Sequence, residues 1–391
     1  MKTVLYYTMG DMLPTNIGNK KAMFEYFRYL AEQREFKMML CIIGDVSAEH
    51  RKLYENMGAE VHVIPMAPRW CVWEILNKIG SRMGLDPLRV FFASFSYRKQ
   101  FAAICARADV VLMTYMTWFN LLPLQVLRDK VIVITHDLLF YRRASIRGLD
   151  SWWKRFCVSV NRKMEIAILR RFRKVAVLAD YEKRLLVGNG FDERRIITVG
   201  MPLQLPMTRR QWVPFEQRKY DFFLISSSGN ENLLLVKKFV EDVLPLLKGR
   251  KVSFALVGRI CDSVDGVKFP SDVELIRLGV VDDPEEVFLQ ARIGVGTMTQ
   301  GSGIKVKVVE MAMHGLPIVV TDKGIEGIPV TEEGIVNIDH MTSNEIKNSL
   351  LDWLDEPHHA EEAGRKLGTK VCSEFSPQKV LAELKNNILS I

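Results

Sequence analysis

The sequence lacks the features that would embed the chain in a membrane or suit it to an oxidising compartment. No apolar run reaches the length of about 20 residues that a membrane-spanning helix needs. The six cysteines are scattered and include no CxxC pair, which argues against a disulfide framework and against a cysteine-based zinc site. Residues 1–7 already have the pattern of a strand rather than of a secretory leader. We therefore expect a cytoplasmic protein with reduced thiols.

Several signatures of chemistry are also missing. Metal-binding side chains do not occur at a credible ligand spacing, and Ser, His and Asp do not follow the order of a nucleophilic triad. The sequence contains no recognised nucleic-acid-binding motif, internal repeat or low-complexity tract. We therefore expect no metal cofactor and no nucleic-acid partner.

The charge of the chain is unevenly distributed. Residues 1–205 contain 32 Lys and Arg against 19 Asp and Glu, a net charge of +13, whereas residues 206–391 contain 22 against 27, a net charge of −5. A basic half favours an acidic partner such as a phospholipid, a lipid-linked pyrophosphate or nucleic acid, of which nucleic acid is disfavoured by the missing motif. The alternative is an ordinary solvated surface.

Short β-rich runs alternate with helical periods along all 391 residues. We predict strands near residues 2–7, 38–43, 60–65, 110–115, 131–135, 174–179, 195–200, 221–226, 252–258, 273–279, 293–298, 317–321 and 334–338. This alternation predicts an α/β protein with two doubly wound parallel sheets. Residues 201–220 carry three prolines without clean periodicity, so we place the linker there.

The most informative segment is QGSGIKVKVVEMAMHGLPIVVT, residues 300–321. Its Gly-Ser-Gly turn allows backbone N–H groups to approach a ligand closely, and a helix that ends near Gly315 follows at once. The amino end of a helix behind a glycine turn favours an anion, and Lys305 and Lys307 add positive charge there. Glu310, two turns further on, could accept hydrogen bonds from ribose hydroxyls.

This segment resembles the donor-site signature of family 4 glycosyltransferases, which have the GT-B fold. Many members carry GSGI(R/K)xKxxEAxAxGxPVVxT followed by GxEG, and this chain has GSGIKVKVVEMAMHGLPIVVT followed by GIEG at residues 324–327. Residues 222–258 look like the first strand–helix–strand unit of the family's donor domain, and the amino-terminal half matches only in layout.

The resemblance implies two Rossmann-like domains facing across a cleft. Residues 1–205 would bind the acceptor, residues 206–375 would bind the donor, and a helix over residues 376–391 would pack back on the first domain. The implied reaction is a metal-independent, retaining transfer from a UDP- or GDP-sugar to a glycan or lipid-linked acceptor, in bacterial-type surface polysaccharide or glycoconjugate synthesis. The sequence leaves the sugar, the base and the acceptor open.

The resemblance also implies which residues contact the nucleotide sugar. They are Gly18, Gly258, Arg259, Gly279, Val280, Gly301, Ser302, Gly303, Ile304, Lys305, Lys307 and Glu310. Arg259 is either a base or diphosphate contact or an exposed loop arginine. Side chains two apart on a helix point in different directions, so we expect only one of Lys305 and Lys307 to contact the phosphate.

Two departures from the family pattern keep other functions open. Ser302 stands where many relatives have the first glutamate of an E-x7-E pair, so that carboxylate is missing or comes from elsewhere, with Glu326 as a candidate. The loop at residues 226–232 replaces a phosphate-binding Arg/Lys pair. The rivals are an inverting GT-B transferase, a nucleotide-sugar epimerase, and an inactive GT-B protein that acts as a scaffold or at a membrane surface.

In the amino-terminal half, two polar segments follow predicted strands. Asn19 is the predicted N-cap of the first helix, and the resemblance implies that Gly18 belongs to a loop facing the donor diphosphate. His136 ends the strand near 131–135 and is the candidate catalytic histidine; the alternative is a core histidine whose nitrogens bond to the backbone. Asp137 would either orient His136 or act as a general base. His314, near a helix carboxyl end, is predicted to be structural.

Two segments, residues 66–101 and 142–174, interleave aromatic with basic side chains. This pattern fits an interfacial membrane surface, and it also fits ordinary helices with a basic outer face. We expect peripheral association with an anionic membrane, which would place the protein at the inner face. The residues involved are Trp70, Trp73, Ile75, Leu76, Ile79, Arg69, Lys78, Arg82, Arg89, Phe91, Phe92, Phe95, Tyr97, Arg98, Lys99, Arg142, Arg143, Trp152, Trp153, Lys154, Arg155, Arg162, Lys163, Arg170, Arg171, Arg173 and Lys174.

Overall fold

The computed structural model describes residues 1–15, 18–66, 97–147, 151–203, 212–329 and 333–391, together with residues 72, 75, 76 and 78. The chain divides into two compact units. The first unit comprises Met1–Gln204 and Phe375–Ile391, and the second comprises Leu205–Glu374. Each unit is built around its own parallel sheet.

The first unit alternates strands and helices. Its strands are β1 (Lys2–Met9), β2 (Phe36–Ile43), β3 (Glu60–Ile64), β4 (Val110–Thr114), β5 (Val131–Ile134), β6 (Lys174–Val177) and β7 (Ile196–Thr198). Its helices before the linker are α1 (Gly18–Ala31), α2 (Ala48–Asn56), α3 (Arg98–Cys105), α4 (Leu124–Lys130), α5 (Leu139–Arg147), α6 (Trp152–Leu169) and α7 (Asp180–Gly188). Shorter 3-10 turns occupy Met116–Leu121 and Glu193–Arg195.

The first sheet has the strand order β3-β2-β1-β4-β5-β6-β7, with all neighbouring strands parallel. Every residue of β4 and β5 is buried, because helices cover both faces of a doubly wound sheet. The strand order reverses between β1 and β4. Ligands of open α/β sheets bind beyond the carboxyl ends of the strands at such a switch point.

The second unit repeats this plan. Its strands are β8 (Tyr220–Ile225), β9 (Val252–Val257), β10 (Val273–Gly279), β11 (Ala291–Gly296), β12 (Ile318–Val320) and β13 (Ile335–Asn337). Its helices are α8 (Asn230–Lys238), α9 (Pro284–Phe288), α10 (Val306–Met313), α11 (Ser343–Asp355) and α12 (Pro357–Phe375), whose last residue belongs to the first unit. A π-helical turn at Phe239–Val243 and 3-10 turns at Phe215–Gln217, Leu244–Leu247 and Arg259–Ser263 complete it.

The second sheet has the order β10-β9-β8-β11-β12-β13 and is also parallel, with its switch point between β8 and β11. Two glycines of β11 let α10 lie close to this strand. A Cβ atom on Gly296 would come within 2.7 Å of the Val308 side chain, and one on Gly294 within 2.9 Å of the Met311 sulfur. The small residues thus position α10 directly behind the carboxyl end of β11.

The last helices, α13 (Pro377–Val380) and α14 (Ala382–Ser390), lie in the first unit. The Lys2 ammonium donates to the Leu389 carbonyl at 2.7 Å, and the Lys385 ammonium pairs with Glu35 at 2.7 Å. The Leu203 N–H donates to the Phe375 carbonyl at 3.2 Å. Both ends of the described chain therefore contribute to the same unit.

The two doubly wound parallel sheets confirm the fold class that the sequence predicts. Every predicted strand is present, with ends no more than two residues from the predicted ones. Among the described residues, no helix is long and apolar enough to cross a membrane.

Candidate active site

In the second unit, the loops that follow β8, β9 and β10 meet at the carboxyl edge of the sheet. Gly258 has φ 93°, and a Cβ atom there would lie 2.3 Å from the Ser226 carbonyl oxygen, so only glycine fits. Its N–H donates to the Gly279 carbonyl at 2.6 Å. The structure thus brings the predicted residues Gly258 and Gly279 together. The Arg259 and Val280 side chains are exposed beside them.

Lys307 connects α10 to the loop after β8. Its ammonium donates to Ser226 Oγ at 2.7 Å and to Asn232 Oδ1 at 2.6 Å. Burial, together with the positive charge of Lys305, lowers the pKa of Lys307 to about 8. The serine-rich loop that replaces the family's Arg/Lys pair therefore receives its positive charge from Lys307, at the switch point between β8 and β11.

Lys305 points to a different partner. Only 6% of it is exposed, and its ammonium donates to the Gly303 carbonyl at 2.5 Å. It lies 3.7 Å from Glu326 Oε2, while Lys323 pairs with Glu326 Oε1 at 2.7 Å. Lys305 and Lys307 thus diverge, as side chains two residues apart should. Glu326 is brought to the glycine turn by these ion pairs.

The glycine turn has the backbone geometry that the sequence predicts. Gly301 has φ 102° and Gly303 has φ 76°, and both angles lie in the region that favours glycine. Ile304 is buried and Ser302 is partly exposed. This turn leads directly into α10.

The helix begins slightly later than the sequence predicts. Lys305 is the N-cap with φ −85° and ψ 90°. The first backbone N–H of the helix that donates to a helix carbonyl is that of Val308, which donates to Lys305 at 2.8 Å. The N–H groups of Val306 and Lys307 precede this bond at the amino end, where an anion is favoured. Glu310 is the fifth residue, so it lies just over one turn into α10 rather than two.

His314 has a structural environment. It is the C-cap of α10, its Nδ1 lies 2.7 Å from the Glu310 carbonyl oxygen, and its ring stacks on Phe288 with centroids 4.2 Å apart. Gly315 follows with φ 74°. Both findings agree with the predicted helix end.

In the first unit, the candidate histidine lies at the carboxyl end of β5. His136 is 7% exposed, and neither ring nitrogen has a hydrogen-bond partner among the described residues. Burial lowers the pKa of His136 to about 4, so the imidazole is neutral at physiological pH. A neutral imidazole offers one donor and one acceptor to a ligand.

Asp137 forms no hydrogen bond with either ring nitrogen of His136 in this structure. The Asp137 carboxylate pairs instead with the Arg142 guanidinium in the first turns of α5, at 3.4 Å. The alternative role of general base for Asp137 stays a prediction.

The start of α1 also differs from the prediction. The helix begins at Gly18, so Asn19 lies within it and is not the N-cap; residues 16–17 lie outside the described part of the chain. The Asn19 side-chain amide donates to the Tyr115 hydroxyl at 3.0 Å. Lys20 in the same turn donates to the Leu13 carbonyl at 3.4 Å.

Sequence reasoning missed two buried acids beside the His136 loop. Glu165 on α6 accepts hydrogen bonds from the N–H groups of Leu139, at 2.9 Å, and Phe140, at 2.8 Å, and thereby fixes the start of α5. Glu182 on α7 accepts from the Leu178 N–H at 2.9 Å. Burial raises the pKa of Glu182 to about 8, and the nearby Asp137 charge adds to this shift. A lone Glu in a helical period carries no sequence signal of burial.

The two parallel-sheet units have the GT-B fold of glycosyltransferases. Residues 222–356 match the family model of the glycosyl transferases group 1. The second unit therefore carries the domain of a glycosyltransferase enzyme, as the sequence predicts. No curated protein sequence matches the chain.

Solved structures share the fold over the whole chain. HepE from Anabaena, in complex with UDP-glucose, is similar with a TM-score of 0.66 and 12% identity, and 100% of each chain is covered. A variant of S. aureus TarM, in complex with Fondaparinux, alpha-GlcNAc-glycerol and UDP, has a TM-score of 0.64 and 12% identity over 99% of this chain and 100% of that one. Sucrose-phosphate synthase from Thermosynechococcus elongatus has a TM-score of 0.62 and 13% identity, with 100% of each chain covered.

Proposed function

We propose that this protein is a family 4-type glycosyltransferase that moves a sugar from a nucleotide diphosphate sugar to a hydroxyl of a glycan or lipid-linked acceptor. Such a reaction belongs to the synthesis of a surface polysaccharide or glycoconjugate. The observation that carries the proposal is the Lys307 ammonium at the amino end of α10, held against Ser226 at the switch point of a group 1 domain. This combination is suited to the diphosphate of a leaving nucleotide.

The proposed reaction needs no metal, because helix and lysine charges stabilise the leaving group. The bond between the anomeric carbon and the diphosphate oxygen breaks, and the acceptor oxygen bonds to that carbon on the same face. The acceptor proton passes to the leaving diphosphate oxygen. Retention of configuration follows from attack on the same face.

The roles of individual residues follow from their positions. Lys307 and the N–H groups of α10 would bind the diphosphate, and Glu310 would accept hydrogen bonds from the ribose. Glu326 is paired with two lysines, so it suits hydrogen bonding to sugar hydroxyls better than nucleophilic attack. His136 would contact the transferred sugar as a neutral imidazole.

The direct test is a screen of UDP- and GDP-sugars for nucleotide release, with and without glycan acceptors. UDP-sugars come first, because HepE and TarM were crystallised with UDP-glucose and UDP. We expect acceptor-dependent release of the nucleoside diphosphate. We also expect the new glycosidic bond to have the same anomeric configuration as the donor. A product of inverted configuration would support the inverting alternative. Sugar isomerised without acceptor would indicate an epimerase, and nucleotide binding without turnover would indicate an inactive fold.

We also propose that the first unit associates with an anionic membrane at its inner, cytoplasmic face. The support comes from α6. Trp152, Trp153 and Phe156 are 70%, 53% and 50% exposed, and the rings of Trp153 and Phe156 stack with centroids 5.6 Å apart.

Exposed basic residues lie further along α6, and Lys163 is on the same face as Trp152 and Phe156. Arg162 and Lys163 are exposed, and Lys163 follows Phe156 by seven residues, or two helical turns. Exposed aromatic rings next to cations are typical of an interfacial helix that binds anionic lipid. The other predicted tryptophans, Trp70 and Trp73, lie outside the described residues.

A further inference from the structure

Tyr115 follows β4 directly and has an unusual backbone conformation. Its φ is 68° and its ψ is 129°, and among the described residues it is the one non-glycine with positive φ. A residue with a Cβ atom rarely adopts this region, and it persists there only where neighbouring contacts enforce it. The Tyr115 N–H donates to the Ile134 carbonyl at 3.0 Å, which ties the strained residue to the end of β5.

Two side chains hold the Tyr115 side chain at the carboxyl edge of the first sheet. The Asn19 amide donates to its hydroxyl oxygen at 3.0 Å, across 96 residues of sequence. The ring lies against the His136 imidazole, with centroids 4.5 Å apart and an interplanar angle of 39°. The strained backbone therefore turns the ring onto His136 and the hydroxyl toward α1.

The Tyr115 hydroxyl can still donate a hydrogen bond. A phenol both accepts and donates, and Asn19 uses only the accepting oxygen. No described residue accepts the hydroxyl proton of Tyr115, and the side chain is partly exposed. Beside it, both ring nitrogens of His136 lack a partner among the described residues. The hydroxyl of the partly exposed Tyr115 thus remains for a ligand, next to the buried and unpartnered ring nitrogens of His136.

We propose that Tyr115 is a sugar-contacting residue of the transferase. Its hydroxyl, fixed by Asn19, donates a hydrogen bond to a hydroxyl of the sugar at His136, and its ring holds the imidazole in place. Few but well-placed polar groups on an aromatic surface are what a small polar ligand requires. This inference rests on the proposed function and adds a residue that the donor-site signature does not contain.

The test compares Tyr115→Phe with the control Tyr29→Phe, a partly exposed tyrosine of α1 in the same unit. Tyr115→Phe keeps the ring and removes the hydroxyl, so we expect kcat/KM for transfer to fall about 5- to 10-fold, as for one lost hydrogen bond. Affinity for UDP, which has no transferred sugar, should stay at the wild-type value. Tyr29→Phe should leave all constants unchanged.

Two further variants separate hydroxyl from ring. Asn19→Leu should reproduce part of the Tyr115→Phe effect without changing Tyr115. Tyr115→Leu should lower kcat further, and this extra loss should disappear in a His136→Ala background, because the ring acts through the imidazole. Thermal unfolding and UDP affinity report whether each variant is folded.

The outcomes are distinguishable. A wild-type protein that neither binds nor uses any nucleotide sugar overturns the proposed function, and this inference with it. An active wild type with an equally active Tyr115→Phe variant overturns the inference alone. If Tyr115→Phe is impaired as expected, varying donor and acceptor separately shows which sugar is contacted, since the KM of that substrate changes.

Discussion

Lys307 and Ser226 are joined across the switch point of the second sheet, where the Lys307 ammonium donates to Ser226 Oγ at 2.7 Å. They are 81 residues apart in sequence: Ser226 directly follows β8, and Lys307 lies in the first turn of α10, which follows the adjacent strand β11. Both hydrogen-bond partners of this ammonium are neutral, because the second is the Asn232 side-chain amide. A diphosphate oxygen would be a stronger, charged acceptor in their place.

Replacing Lys307 by Met should weaken binding of UDP or GDP. The loss of one hydrogen bond to a charged group corresponds to about 1.5–3 kcal/mol, or about 10- to 150-fold in Kd. Lys305→Met is the matched control, because the Lys305 ammonium contacts Gly303 and Glu326 instead. Titration calorimetry on both variants checks this. Equal affinities for both variants and the wild type would exclude α10 as the phosphate site.

The depressed pKa of Lys307 predicts a pH dependence of nucleotide binding. The protonated form pairs with the diphosphate, so affinity for UDP should decrease as pH rises through about 8. The Lys307→Met variant should lose this dependence. Calorimetric titrations between about pH 7 and about pH 9.5 measure both slopes. A slope that persists in the variant would assign the titration to another group.

The same pKa predicts how Lys307 affects folding stability. Its folded value of about 8 lies below the ordinary value of 10.5, so between these values the unfolded chain binds more protons. Through Lys307, the free energy of unfolding therefore increases as pH rises from about 8 to about 10.5. Below about pH 8 the buried ammonium destabilises the folded state by its full amount. Lys307→Met should consequently raise the unfolding midpoint at pH 7 more than at pH 10. Denaturation curves at both values provide the measurement.

Glu310→Ala should weaken binding of the nucleoside diphosphate by about 1.5–3 kcal/mol, because one charge-assisted hydrogen bond to the ribose is lost. Inorganic pyrophosphate lacks the ribose, so its binding should not change. Glu274→Ala, an exposed carboxylate of β10, is the control for net charge. A folded Glu310 variant with wild-type nucleotide affinity would rule out the ribose role.

His136→Ala should lower turnover more than donor affinity, because the imidazole would act on the transferring sugar. Since the pKa of His136 is about 4, wild-type kcat should show no titration of this residue near neutral pH. Steady-state kinetics with saturating acceptor provide the measurement. Unchanged kcat in the variant would make His136 a structural residue.

Vesicle sedimentation tests the membrane surface. The protein should bind anionic but not neutral vesicles, with salt sensitivity, since each surface cation contributes about 1 kcal/mol. Trp152→Ala with Trp153→Ala should reduce binding and the fluorescence blue shift. Arg162→Gln with Lys163→Gln should reduce binding without changing nucleotide affinity. Absence of vesicle binding at low salt would favour a soluble acceptor.

Much of the architecture could be read from the sequence because it depends on local pattern. Runs such as Val131–Ile134 are buried on both faces and stand between helical periods, so strand identity is evident. The glycine turn before α10 was equally clear, since its positive φ angles require glycine. The exact helix start was less clear, because the ψ of Lys305 depends on contacts with Gly303 and Glu326.

The details of the His136 site depend on long-range register and could not be read locally. Tyr115 meets His136 because β4 lies next to β5 in the sheet, with Val111 opposite Val131. Asn19 reaches Tyr115 from a helix far away in sequence, where its residue type suggested only a cap. Asp137 has Arg142 one helical turn further on as a competing partner. Nothing in the residue types indicates which of these contacts forms.

Because residues 375–391 belong to the first unit, the two units are completed in a fixed order during translation. A chain emerging from the ribosome exposes all of β1–β7 early, yet the Lys2 and Glu35 contacts with α14 become available only after the whole second unit has been translated. The second unit is contiguous in sequence and can fold while this happens. The first unit to be made is therefore the last to be completed, and truncation within α14 should damage the first unit, which carries His136, while sparing the second.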